Sequence, residues 1–202
     1  QLMEQGLPSK QLVQRLSFCK AKEVFENKNQ NAVVIGGDTV VVSPENCVFG
    51  IPKDRKEAFD MLSMLSGKVH RVLTGVTIYG QSYCSFVCST EVEFYPLSKY
   101  DIDEYLDTGE PFDKAGAYGI QGYGGTLVKE IRGDYFNVVG FPVSRFKREL
   151  RDFLGIPAFF KKRLCNTLQK VIIKILVKGR PQKQRNGHIE RSSTYVFKRY
   201  RH

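Results

Sequence analysis

The sequence predicts a single α/β domain, a mixed, twisted sheet flanked by helices, followed by a basic tail. Three observations predict it. Residues 32–36, Ala-Val-Val-Ile-Gly, form a short β-branched run of buried-strand length just after a segment of helical period. Two longer runs, Val69–Tyr79 and Ser85–Tyr95, have strand character around a turn near Gly80. Charge then divides the chain: residues 1–157 carry 18 Lys and Arg against 20 Asp and Glu, a net of −2. Residues 158–202 carry 13 against the single acid Glu190, a net of +12.

The elements follow in order. Ser9 can N-cap a helix running to about Glu26, with Leu12, Val13, Leu16, Cys19 and Val24 at helical intervals. Strand Ala32–Gly36 comes next, ended by its glycines, then Val40–Val42 and Cys47–Phe49 around the turn Ser43–Asn46. Asp54 caps a second helix with core face Ala58, Met61, Leu62 and Leu65, and Gly67 stops it. After the two long strands, Ser98 caps a helix over Tyr100–Asp107, ended by Gly109. Thr126–Ile131 and Phe136–Val139 are expected as further strands, and Pro142 opens a closing helix to about Phe153. No repeat of solenoid period interrupts this order.

A chain of 202 residues with 42% hydrophobic content can bury an ordinary single core. It contains no run of 18 or more apolar residues, and its first residues show no signal-peptide pattern. Five scattered cysteines, Cys19, Cys47, Cys84, Cys88 and Cys165, fit reduced thiols in a cytoplasmic protein better than a disulfide framework or a metal site. The net charge of +10 belongs wholly to the last 45 residues, so it says nothing about the chemistry of the domain.

Two segments carry the chemical signal. Glu110-Pro-Phe-Asp-Lys-Ala-Gly-Ala-Tyr-Gly-Ile-Gln121, followed by Gly122, Gly124 and Gly125, is too glycine-dense for a helix or a packed strand. Such density suits backbone that approaches a ligand closely and exposes its N–H groups, as around phosphate or a base. Lys114 and Gln121 add a cation and an amide able to read a base edge; a loop that only turns is the alternative. In the second segment, Gly36-Gly-Asp38-Thr39 leaves a carboxylate just past the expected end of a buried strand, where open α/β sheets bind ligands. Asp38 could equally cap a turn there.

These segments, with their surroundings, resemble the Maf family of nucleoside triphosphate pyrophosphatases. The resemblance runs from about Ser9 to Leu154 through Lys20-Ala-Lys-Glu-Val, Gly36-Gly-Asp-Thr, Leu65-Ser-Gly-Lys-Val-His-Arg-Val-Leu-Thr-Gly75, Glu110–Gly122 and Gly133-Asp-Tyr-Phe-Asn-Val-Val-Gly-Phe-Pro142. Asp-Lys-Ala-Gly-Ala-Tyr-Gly-Ile-Gln looks like the branch acting on dTTP and UTP. The Gly133–Pro142 ending is similar to the N-terminal Maf-like domain of animal acetylserotonin methyltransferase-like proteins. The resemblance implies a Maf/ITPase-like fold and hydrolysis of a nucleoside triphosphate to the monophosphate and pyrophosphate. It implies Asp38 as the catalytic carboxylate, activating water and helping to hold a divalent cation, Mg²⁺ or Mn²⁺. Thr39 and Gln121 match positions linked to substrate selection, Lys20 matches a lysine facing the phosphates, and Lys114 would share that pocket. His70 stays outside the catalytic set, since a lone strand histidine more often serves structure; Asp113 and Asp134 could assist metal binding, though loop aspartates more often make a turn bond.

The departures from the family pattern matter as much. The family opens with a strand and a Ser-x-Ser-Pro-Arg-Arg loop, whereas this sequence starts at Gln1 downstream of it, so the domain 1–157 is expected to be N-terminally incomplete. Where the family has Gly-Lys-Pro, this chain has Gly50-Ile51-Pro52, and an isoleucine cannot neutralise phosphate. A catalytically impaired nucleotide-binding remnant is therefore the rival expectation. The tail, 158–202, offers another. From Phe159 to Lys178, Phe160, Leu164, Leu168, Val171, Ile172 and Ile175 recur at helical spacing among six basic residues, as in segments that bind anionic membranes or nucleic acid. A tail without a selected role is its alternative. The expected partners are thus the nucleotide, a second copy of the chain as a homodimer, and a polyanion at the tail.

Overall fold

The computed structural model describes residues 7–28, 32–155 and 194–198. Helix α1 (Ser9–Lys28) buries Leu12, Val13, Ser17 and Ala21 against strands β1 (Ala32–Val42) and β3 (Val69–Tyr79). Two glycines allow this approach. A Cβ on Gly36 would lie 2.3 Å from the Ser17 carbonyl oxygen, and one on Gly75 would lie 2.2 Å from that of Val13. Cys19, expected among the inward positions, is exposed.

That packing corrects the expected break in β1. The strand passes unbroken through Gly36-Gly-Asp-Thr, because β3 pairs with it continuously from Val34 opposite Tyr79 to Val42 opposite Arg71. The glycines remove side chains beneath α1; they do not end the strand. Asp38 therefore sits in mid-strand opposite Gly75, not beyond a strand terminus.

The strand order is β2 (Val48–Phe49), β1, β3, β4 (Tyr83–Phe94), β5 (Val128–Arg132). A sixth strand, β6 (Thr194–Lys198), pairs with β1 from Ala32 opposite Lys198 to Gly36 opposite Thr194. Every described pairing is antiparallel, in place of the mixed sheet expected. Since β3 occupies one edge of β1 throughout, β2 and β6 share the other edge. They leave Gly37–Val40 between them without a described strand partner. Part of the expected tail thus joins the sheet. The expected amphipathic segment Phe159–Lys178 lies outside the described residues.

Opposite α1, the sheet is covered by α2 (Arg55–Leu65), α3 (Lys99–Asp107), α4 (Tyr135–Val139) and α5 (Val143–Phe153). The Asp54 side chain caps α2 and Ser98 caps α3, as the sequence indicates, and Asp101 completes a capping box on α3. One core joins α2 and α3 to Val41, Val72, Val92 and Phe94; a second joins α5 to Ile35, Val76, Ile78 and Phe86. Residues Phe136–Val139, expected as a strand, lie in α4. Asp134 caps it by accepting from the Phe136 N–H at 2.9 Å, and Gly140 stops it at φ 114°. The expected strand Thr126–Ile131 starts later, at Val128, because Tyr123–Leu127 is a 3₁₀ turn. No described helix is long and apolar enough to cross a membrane.

Candidate active site

Strand alternation sorts the candidate residues onto two faces. On β1, Gly36 and Asp38 face α1, whereas Gly37 and Val41 face the opposite layer, against Phe141 and Gly116. Asp38 lies under α1 beside Lys20, whose ammonium donates to Asp38 Oδ1 in a short contact. The pair is neither sealed nor fully solvated, with side chains 32% and 16% exposed. Helix packing brings it together: Gly36 seats the backbone of α1 on the strand, and three residues after Ser17 the helix presents Lys20.

Thr39 points the other way. Its hydroxyl lies 2.9 Å from that of Thr74 on β3 and donates to the Gly140 carbonyl at 3.3 Å. Nearby, buried Asn137 donates to the Val72 carbonyl and the Thr90 hydroxyl, tying α4 to the sheet. The structure does not bring the Thr39 side chain to Asp38.

The segment Lys114–Gln121 reaches β1 from this second face. Gly116 adopts φ 71°, and a Cβ there would stand 2.6 Å from the Val41 side chain. Its N–H donates to the Gly50 carbonyl at 2.9 Å, so the loop also meets the chain just before Ile51. Ile51 itself is 40% exposed. Lys114 contacts Asp113 at 2.5 Å, and Gln121 is exposed. The two groups of candidates thus converge on one strand from its two faces, three residues apart. Between them lies Gly37–Val40, which on the side away from β3 has no strand partner among the described residues.

The glycine density around Gln121 has a different immediate cause from the one expected. The Glu110 carboxylate occupies the concavity. It accepts the Tyr123 N–H at 2.8 Å, the Gly124 N–H at 3.2 Å and the Tyr105 hydroxyl at 3.0 Å. Glu110 received no role from the sequence, because two of its three partners are main-chain groups 13 and 14 residues away. The glycines were the one readable trace.

His70 is buried behind the same loop. Its Nε2 lies 2.9 Å from the Tyr118 hydroxyl, its ring meets Phe94 edge-on, and burial pulls its pKa down to about 4. Its Nδ1 has no partner among the described residues. His70 is thus a core histidine. Cys84 and Cys88 are free, half-buried beside α5, and burial raises both thiols.

Residues 2–153 match the model of the family described as Maf-like protein. A dTTP/UTP pyrophosphatase of Clostridioides difficile (strain 630) is 48% identical over 164 residues, covering 79% of this chain and 83% of that protein. A dTTP/UTP pyrophosphatase of Bacillus pumilus (strain SAFR-032) is 50% identical over 148 residues, covering 73% and 77%. One from Geobacillus sp. (strain WCH70) is 53% identical over 144 residues, covering 70% and 75%.

Proposed function

The chain belongs to the Maf family, and from that premise we propose that it hydrolyses dTTP and UTP to the monophosphate and pyrophosphate. The single observation that carries this to named atoms is the Lys20–Asp38 pair. It joins a carboxylate and a cation on the stretch of β1 between its β2 and β6 pairings, with the Lys114–Gln121 loop reaching the same strand from its other face. Asp38 accepts a proton from the attacking water, and bond formation at the α-phosphorus expels pyrophosphate. Lys20 balances the carboxylate in the free protein and turns toward the phosphates when substrate binds. Lys114 serves the same polyanion, and Gln121 and Thr39 remain proposed specificity positions.

A divalent cation fits this donor set in one way only. Among the described residues no cluster of three or more His, Cys, Asp or Glu forms a protein cage. Asp38 offers hard oxygen atoms, and Mg²⁺ is commonly held by one or two carboxylates together with substrate phosphates and water. When bound, such an ion neutralises phosphate charge and makes water a better nucleophile. Asp38 would be its protein ligand.

Incubating the full chain with UTP or dTTP in H₂¹⁸O tests the reaction. Label in the monophosphate, with unlabelled pyrophosphate, supports attack at the α-phosphorus. No hydrolysis beyond that of an Asp38→Asn control overturns the proposal.

One observation favours a second reading. Ile51 places an exposed apolar side chain beside the Gly50–Gly116 contact, where the family resemblance calls for lysine. A protein that binds the nucleotide yet turns it over poorly accounts for that position. Tight binding of UTP with hydrolysis restored by Ile51→Lys would distinguish it.

A further inference from the structure

We propose that Glu110 is a positioning residue, the internal template that shapes the substrate-reading loop from Lys114 to Gln121. The inference rests on the pyrophosphatase reading above for what the loop binds, but the template itself is a matter of geometry. Glu110 begins the loop, and Tyr123 and Gly124 end it. Oε2 accepts the Tyr123 N–H at 2.8 Å, while Oε1 accepts the Gly124 N–H at 3.2 Å and the Tyr105 hydroxyl at 3.0 Å. Tyr105 extends the clamp, since its oxygen accepts the Gly119 N–H at 3.1 Å. A carboxylate thus joins both ends of the loop and, through one phenol, its middle.

The glycines record the same fit from the other side. A Cβ on Gly122 would lie 2.0 Å from Glu110 Oε2, and one on Gly124 would lie 2.6 Å from the Tyr105 hydroxyl. Gly119 is closed off by the Lys114 side chain, 2.9 Å from where its Cβ would stand. These residues pack around a side chain of this chain. They leave the outer surface of the loop, with Lys114 and exposed Gln121, for a ligand.

The chemistry requires a carboxylate. Both backbone groups and the phenol donate, so an ionised acid satisfies all three at once. Glutamine offers one oxygen and one NH₂, and whichever way it turns, its nitrogen faces a backbone N–H. Aspartate has the charge but is one methylene short. Burial raises the pKa of Tyr105, keeping its phenol protonated as the donor.

The test pairs Glu110→Gln, Glu110→Ala and Gly122→Ala in the full chain. Gly122 has φ −117°, outside the left-handed region, so alanine there is opposed by the carboxylate and not by its backbone. Hydrogen exchange should show the Tyr123 and Gly124 amides opening about tenfold or more faster in Glu110→Gln, with exchange in β3 and β4 unchanged. KM for UTP should rise about tenfold, carrying most of the loss in kcat/KM. Discrimination of UTP from CTP should fall with it. Gly122→Ala alone should reproduce these changes, yet add little to Glu110→Ala, whose shortened side chain leaves room for the methyl. Unchanged amide exchange, a loss confined to kcat, or additive effects of the two alanines would overturn the proposal. If the wild-type chain does not hydrolyse UTP but binds its α,β-imido analogue, the pyrophosphatase reading fails alone, and Kd for the analogue replaces KM. Absence of both hydrolysis and binding overturns both.

Discussion

Lys20 and Asp38, 18 residues apart in the chain, meet because Gly36 lets α1 lie directly on the strand that carries the carboxylate. The contact joins secondary structure to chemistry: a glycine chosen by packing fixes where an ammonium and a carboxylate can neutralise one another. Removing either charge changes the site without cutting into the core, since both side chains keep some exposure.

Asp38→Asn should lower kcat for UTP by about a hundredfold or more, because the amide cannot take a proton from water. Lys20→Met should act differently, raising KM more than it lowers kcat, if the cation serves the phosphates as proposed. Steady-state kinetics on both variants decide the matter. An undiminished kcat in Asp38→Asn would remove that residue from the mechanism.

Much of this was legible before the fold was known, for identifiable reasons. Asp54, Ser98 and Pro142 mark helix starts through local chemistry, and each helix begins where they indicate. Glycine misled in β1, where Gly36 answers to the close approach of α1 and not to a strand end. In α4 the residue types misled: aromatic and β-branched side chains suggest a strand, but the Asp134 cap and left-handed Gly140 prevail. Strand parity, which sends the Thr39 side chain away from Asp38, appears only once β1 is continuous. Glu110 left no residue-type signature, because its partners across the loop are backbone N–H groups.

Ile51→Lys should raise kcat by about tenfold, returning a cation near the developing phosphate charge. Ile51 is exposed, so the melting temperature should hardly change. Equal kcat and KM before and after substitution would show that this position is not what limits turnover.

His70 predicts a pH dependence of stability. Burial depresses its pKa from 6.5 to about 4, so the native state keeps it neutral while the unfolded chain takes up a proton first. Its stabilising contribution is therefore complete above pH 6.5 and lost as pH falls toward 4. The loss should be on the order of 3 kcal/mol. Urea unfolding of wild type and His70→Gln between those limits checks it. The variant should start less stable, having lost the fit to Tyr118 and Phe94, and its curve should be flatter. Parallel curves would assign the acid sensitivity to other groups.

Truncation at residue 157 should separate the core from its edge. The two hydrophobic cores on the α2–α5 side draw on β1, β3, β4 and the helices, so the shortened chain should still unfold cooperatively. Among the described residues it loses β6, which pairs with residues 32–36 of β1. That edge would then present unpaired backbone next to β-branched Val33, Val34 and Ile35, the condition that invites strand addition from another chain. Faster amide exchange confined to residues 32–36, with concentration-dependent self-association, is the expected result. Binding to nucleic acid or anionic vesicles, if the full chain has any, should vanish with the 13 basic residues beyond the cut and weaken steeply with salt. Loss of cooperative unfolding would instead make β6 an obligatory part of the domain. Unchanged exchange at residues 32–36 would mean that β6 does not protect this edge in solution.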